Sequence, residues 1–251
     1  LCLQPTETFA DSHVYPLALH RLFGSEEVQP FTINRSPNHP ARTVTRSPRG
    51  SHGAFVCPSC ERDRFGPADN YFMQLHHRLS AMAAPPERMP AQVQHVEGDP
   101  SLLHRFALQT LWRWATCPDT GPRRGDYGPV IDRIRGFLLD PGGTIRTHWH
   151  VVAVYKIGDL CEIAIPPWGG WRSGRIAMTV GPFSFLVASR GRGLGPGMAE
   201  HRLREEGHIR LIATTEIHPL ILEPVFELVD EGRADLVDAY VAYRKSKPRP
   251  T

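Results

Sequence analysis

The chain has 251 residues, 41% of them hydrophobic, with 29 Lys and Arg against 26 Asp and Glu and a formal net charge of +3. That is enough apolar material for one large or two modest domains to bury a core without disulfides, and no run approaches the roughly 18 consecutive apolar residues of a membrane helix. The opening Leu1-Cys2-Leu3-Gln4-Pro5 lacks the build of a signal peptide, so a cytoplasmic protein is expected, and the absence of an initiating Met suggests a start inside a longer chain. Five cysteines, two of them spaced C-x-x-C, make a poor disulfide framework in a reducing compartment and a natural start for a metal knuckle.

In chain order, Leu17 to Phe23 has the spacing for two helical turns. The next stretch, Pro30 to Cys60, holds Arg35, Arg42, Arg46 and Arg49 with His39 and His52 and no Asp or Glu. With Pro30, Pro37, Pro40 and Pro48 it reads as an extended, basic loop that cannot be a regular helix. Ala54-Phe55-Val56 leads as a short strand into Cys57-Pro58-Ser59-Cys60, and Asp69 to Leu79 has helical periodicity. Pro85, Pro86 and Pro90 mark a linker. Asp99-Pro100-Ser101 reads as the cap of a helix carrying Leu102, Leu103, Phe106, Leu108, Leu111 and Trp114, and a second helix fits Val130 to Leu139, stopped by Asp140-Pro141-Gly142-Gly143. The period then changes to short strands over Val151 to Ile157, Leu160 to Ile165, Arg175 to Val180, Phe183 to Ala188 and His208 to Thr214, expected to form a small antiparallel sheet. Pro219 to Arg244 is helical again by spacing.

Tetrahedral zinc takes four soft ligands, and two cysteines separated by two residues place both sulfurs on one side of a tight turn. Cys57 and Cys60 fit that pattern, with Cys2 as a candidate third ligand. A redox pair or plain structural thiols are the alternatives, although the thioredoxin-like βαβ setting of a redox pair is missing. Cys117 and Cys161 read as buried thiols. His148 and His150 alternate around Trp149 and would share one face of a strand, but no third ligand lies at sensible spacing. Gly191 to Gly197 lacks the Lys-Ser/Thr ending of a phosphate-binding loop and reads as a turn.

The order of Leu1-Cys2-Leu3-Gln4, Ser12-His13-Val14-Tyr15-Pro16 and Phe55-Val56-Cys57-Pro58-Ser59-Cys60-Glu61 resembles an HNH-like, treble-clef family of uncharacterised bacterial proteins. The likeness continues into Phe106 to Trp112 and Gly128 to Gly142, with a Leu-Trp-Arg-Trp run and an Asp-Pro-Gly ending, and covers about the first 140 residues. It implies a metal-dependent endonuclease or a degenerate relative, with His13 as the base that activates water, structural Zn2+ on Cys2, Cys57 and Cys60, and a catalytic Mg2+ or Mn2+ near the helix start. The closing His of the family pattern is Glu61 here, and no middle Asn stands between His13 and Phe55. Glu61, with Asp63 or Asp69 nearby, is therefore the candidate second catalytic residue, or else a carboxylate favoured by the helix N-terminus.

These readings combine into an α+β protein: a zinc-stabilised treble-clef (ββα-metal-like) module at 1–80, a linker at 81–98, a helical segment at 99–143 and an antiparallel, β-rich part with terminal helices at 144–251. The expected partner is nucleic acid, DNA in preference to RNA, contacted by Arg35, Arg42, Arg46 and Arg49, since Arg pairs bidentately with phosphate. No membrane association is expected. A non-catalytic zinc-binding module that recognises nucleic acid or a protein partner is the alternative.

Overall fold

In a computed structural model of the chain, residues 8–19, 31–34, 43–46, 52–81, 91–118, 128–140, 149–156, 164–168, 175–189, 199–204 and 207–214 are described. The protein is α+β. A two-stranded antiparallel sheet joins β1 (Ala10–His13) to β4 (His52–Val56). Cys57 follows that strand directly, and a π-helical turn over Cys60–Phe65 runs directly into α1 (Gly66–Ser80). The Gly66 amide reaches back five residues to the Glu61 carbonyl. This wider turn accommodates Pro67, which has no amide hydrogen to give and whose ring crowds the carbonyl four residues back.

α1 buries Ala68, Phe72, Leu75, His76 and Leu79, one stripe at helical spacing. α2 (Pro100–Thr116) is different: nearly everything from Leu103 to Trp114 is buried, so this helix is central, flanked by α1 and by α3 (Gly128–Leu139). Phe72 of α1 stacks on Phe106 of α2 with ring centroids 3.9 Å apart. Asp99 caps α2: its Oδ1 accepts from the amides of Ser101 at 2.8 Å and Leu102 at 3.2 Å, with Pro100 at the first helical position where a missing donor costs nothing. Just before it, Gly98 has φ of 155°, and a Cβ there would come within 2.3 Å of the Tyr71 hydroxyl, which itself accepts from the Asp99 amide. Asp99→Ala is expected to cost about 1 kcal/mol, a fall in Tm of roughly 2–4 °C readable by calorimetry.

The helices rest on one eight-stranded sheet in the order β3-β2-β7-β8-β9-β6-β10-β5, where β2 is Phe31–Asn34, β3 Thr43–Arg46, β5 Gln92–Glu97, β6 Trp149–Lys156, β7 Ala164–Trp168, β8 Arg175–Val180, β9 Phe183–Ser189 and β10 His208–Thr214. β8 and β9 are joined by a two-residue turn in which Gly181 takes φ of 59°, the left-handed conformation such hairpins need. Val151, Ala153 and Tyr155 of β6 face the main core together with Phe183, Phe185 and Val187 of β9, whereas Val152 and Val154 pack on the other side with Ala188 and Ile212. Burial on both faces explains why β6 reads as an uninterrupted apolar run rather than an alternating one.

The sheet departs from expectation in three ways. It is mixed, since β10 runs parallel to β6 and β2 parallel to β7. The proline- and arginine-rich stretch contributes the antiparallel pair β2 and β3 to it, and Gln92–Glu97, inside the expected linker, is its edge strand against β10. β2 and β3 pair locally, but the pairings that join them and β5 to the rest of the sheet link distant segments, so local proline content and weak alternation carry no trace of them. The expected helix over Pro219 to Arg244, the glycine run at 191–197 and the chain from His20 to Pro30 lie outside the described residues.

Candidate metal centre

β1 and β4 bring together three side chains. In their register His13 stands opposite His52 and Ser12 opposite Gly53, with an irregularity between Ala10 and Asp11 that re-aims the start of the strand. Because side chains alternate along a strand, Asp11 and His13 project to one side and Ser12 to the other. His52 Nδ1 lies 2.7 Å from Asp11 Oδ1, and the rings of His13 and His52 stack with centroids 5.1 Å apart and planes 26° apart. One ligand atom from each of Asp11, His13 and His52 falls within 4.8 Å of the other two.

His13 Nε2 is shielded from solvent and has no hydrogen-bond partner among the described residues. Burial lowers the His13 pKa below its ordinary 6.5, only partly offset by the Asp11 carboxylate, so the ring is neutral at pH 7 and able to donate a lone pair. A carboxylate and two imidazoles within a few ångströms, one with an orphaned ring nitrogen, fit a divalent cation.

On the opposite side of β1, Ser12 is fully buried and its hydroxyl donates to Glu61 Oε2 at 2.8 Å. The other carboxylate oxygen, Oε1, accepts from Arg113 Nη2 at 2.9 Å. Arg113 of α2 is 1% exposed, lies over the Phe65 ring at 4.3 Å, and also donates through Nη1 to both oxygens of Asp69, at 3.1 and 2.9 Å. Gln109, one turn earlier on the same helix face, donates to Asp69 Oδ1 at 2.6 Å and to the Phe65 carbonyl at 3.2 Å. Burial raises the Asp69 pKa above its ordinary value, against the pull of Arg113.

The remaining expected residues are distributed unevenly. Cys57 and Cys60 are buried, directly after β4 and at the first residue of the π-helical turn, with Cys57 Sγ 3.4 Å from Ser59 Oγ. Cys2, Arg35, Arg42 and Arg49 lie outside the described residues, and Arg46 is placed only through its backbone, paired with Phe31. Glu61 stands beside the helix start as expected, but with each oxygen engaged by Ser12 or Arg113. Asp63 is exposed and paired with Arg62. His52 and Asp11 are the residues that sequence reasoning passed over; Asp11 sits two positions before His13, but His52 lies 41 positions away from Asp11 and is brought in only by strand pairing. The Arg113 network had a visible signal, namely Gln109 and Arg113 four residues apart within an otherwise apolar helix. Of the His148 and His150 pair, His150 lies in β6 and His148 lies outside the described residues.

Compared with known proteins, the chain matches no protein-family model, no curated protein and no solved structure significantly. Among the described residues no helix is long and apolar enough to cross a membrane.

Proposed function

We propose that the chain is an HNH-like, metal-dependent endonuclease acting on nucleic acid, DNA in preference to RNA. The observation that carries this reading is the Asp11, His13 and His52 cluster on a two-stranded sheet that feeds through Cys57 and Cys60 into a helix. Strand, strand, knuckle and helix in that order are the parts of a ββα-metal module, and the Ser12 and Glu61 bond ties the strand to the helix start. Cys57 and Cys60, both buried and separated by two residues, suit a structural Zn2+, with Cys2 as the third ligand from this chain.

Asp11, His13 and His52 would hold the catalytic cation, and the buried Nε2 of His13, without a hydrogen-bond partner among the described residues, favours a ligand role for that ring over the role of free base. A divalent cation held there would supply charge stabilisation for the scissile phosphate and Lewis-acid activation of the attacking water. The donor set refines its identity: two imidazoles and one carboxylate suit Mn2+ or a related transition ion better than Mg2+, which prefers an all-oxygen shell. Arg35, Arg42, Arg46 and Arg49 supply the phosphate-contacting arm of this reading, as their sequence implies.

Plasmid cleavage by the zinc-loaded protein in Mn2+ and in Mg2+, with Asp11→Ala, His13→Ala and His52→Ala alongside, tests it. Faster cleavage in Mn2+, lost in all three variants together with Co2+ binding, is the expected result. A His13→Ala protein that binds Co2+ normally yet does not cut would return that residue to the role of base. The engagement of both Glu61 oxygens favours a second reading, a non-catalytic zinc module that binds nucleic acid or a protein. Near-stoichiometric zinc without cleavage in any cation would establish that one instead, and no zinc at all would remove the structural-metal premise of both.

A further inference from the structure

β1 is four residues long and among the described residues pairs with β4 alone, and a ribbon of that size has little stability of its own. The cluster on its outer side therefore depends on whatever fixes the strand from its inner side. Beside the buried Val14 and Tyr15 that follow the strand, one side-chain bond that does so starts from Ser12, fully buried and standing between the two cluster members Asp11 and His13. Its acceptor, Glu61, is itself immobilised: Arg113 holds the other oxygen, Asp69 holds Arg113, and Gln109 holds Asp69 and the Phe65 carbonyl beneath.

We infer that Ser12 and Glu61 are positioning residues for the Asp11, His13 and His52 cluster, and that Arg113 anchors them to the central helix. This inference rests on the reading of that cluster as a cation site. The physical reason is angular. Rotation of a strand about its own axis swings alternate side chains in opposite senses, so pinning Ser12 inward fixes the directions of Asp11 and His13 outward. Ligand groups must be held to within about half an ångström for tight binding, and removing the hydrogen-bonded groups that orient ligands typically weakens metal affinity by roughly ten- to a hundredfold. Glu61 thereby acts on the site through Ser12 and not by touching the ion, which accounts for its place beside the helix start.

The test is Co2+ titration of the zinc-loaded full chain, read by the visible absorption of the bound ion, for the wild type, Ser12→Ala, Glu61→Gln and Asp11→Ala, with urea midpoints and zinc content measured on each. Asp11→Ala is expected to abolish the Co2+ band. Ser12→Ala removes one oxygen from a packed site; it is expected to weaken binding about tenfold and to change the shape of the band, with zinc retained. Glu61→Gln, which keeps the shape of the side chain and loses the charge that Arg113 grips, is expected to fall between Ser12→Ala and the wild type. If Ser12→Ala does not fold, Glu61→Gln alone carries the comparison. Affinity and band shape within twofold of wild type in the folded variants, with Asp11→Ala silent, would overturn the positioning role and leave the cation site standing. A wild-type band that Asp11→Ala does not change would instead overturn the cation site, and the positioning role with it.

Discussion

Replacing Arg113 by methionine is expected to lower folding stability by about 3 kcal/mol, measured by urea denaturation at pH 7. The side chain is 1% exposed and is the shared cation of two carboxylates, Asp69 at 16% and Glu61 at 30% exposure. Methionine fills most of the volume over Phe65 but leaves both carboxylates near each other with no counter-charge. Their partial exposure lets Glu61 rehydrate, which places the cost at the lower end of the range for a broken buried pair. The double variant Arg113→Met with Asp69→Asn should recover a large part of the loss, because the amide carries no charge to compensate. A cycle over these two positions with a coupling energy near zero would show that Arg113 contributes only packing.

Acidification supplies the second large effect. His104 on α2 is fully buried, its Nε2 lies 3.3 Å from the Trp149 carbonyl, and its ring meets the edge of Phe137. Burial pulls its pKa from 6.5 to about 4. The unfolded chain therefore takes up this proton below pH 6.5, whereas the folded protein refuses it until about pH 4. Stability contributed by the neutral ring is complete above pH 6.5 and falls as the pH drops between those two values, by about 3 kcal/mol in all. Asp69 has the opposite sign, since its raised pKa favours the folded state at low pH and that contribution is lost as the pH rises. His104→Leu leaves Asp69 and His13 unchanged, so the difference between its pH profile and that of the wild type isolates His104. His104→Leu should be less stable at pH 7, where the Trp149 carbonyl loses its donor, yet flatter between pH 6.5 and 4. Parallel profiles would mean that burial leaves the His104 pKa at its unfolded value.

Both effects sit on α2, and they show how the core and the candidate site are linked. One face of this helix packs Phe106 against Phe72 and the sheet, while Gln109 and Arg113 reach from the same helix to the acidic pair below β1. Damage at Arg113 therefore bears on global stability and on the support of the site together, and Ser12→Ala separates the two.

Local sequence determined much of the helical framework and part of the site. Asp99-Pro100-Ser101 marks the start of α2 because a side-chain acceptor and a residue without an amide hydrogen are what a helix N-terminus needs, and the bond from Ser101 to Asp99 follows. The apolar spacing from Asp69 to Leu79 and from Val130 to Leu139 likewise encodes buried faces, and the strands Arg175 to Val180 and His208 to Thr214 have the bounds their residues imply. An α+β protein was legible for the same reason, and His13, which stands in the candidate cluster, was visible from its neighbours in the chain.

Tertiary structure alone decided the rest. That His52 faces His13, that Asp11 completes the cluster, that both oxygens of Glu61 are engaged, and that β2, β3 and β5 enlarge the sheet are outcomes of pairings between distant segments. Strand pairing has no local period to betray its partner, and a carboxylate's role depends on which charge packing brings beside it. The residues nearest in sequence therefore revealed where chemistry is possible, and contacts across 41 and 52 positions settled which groups meet there.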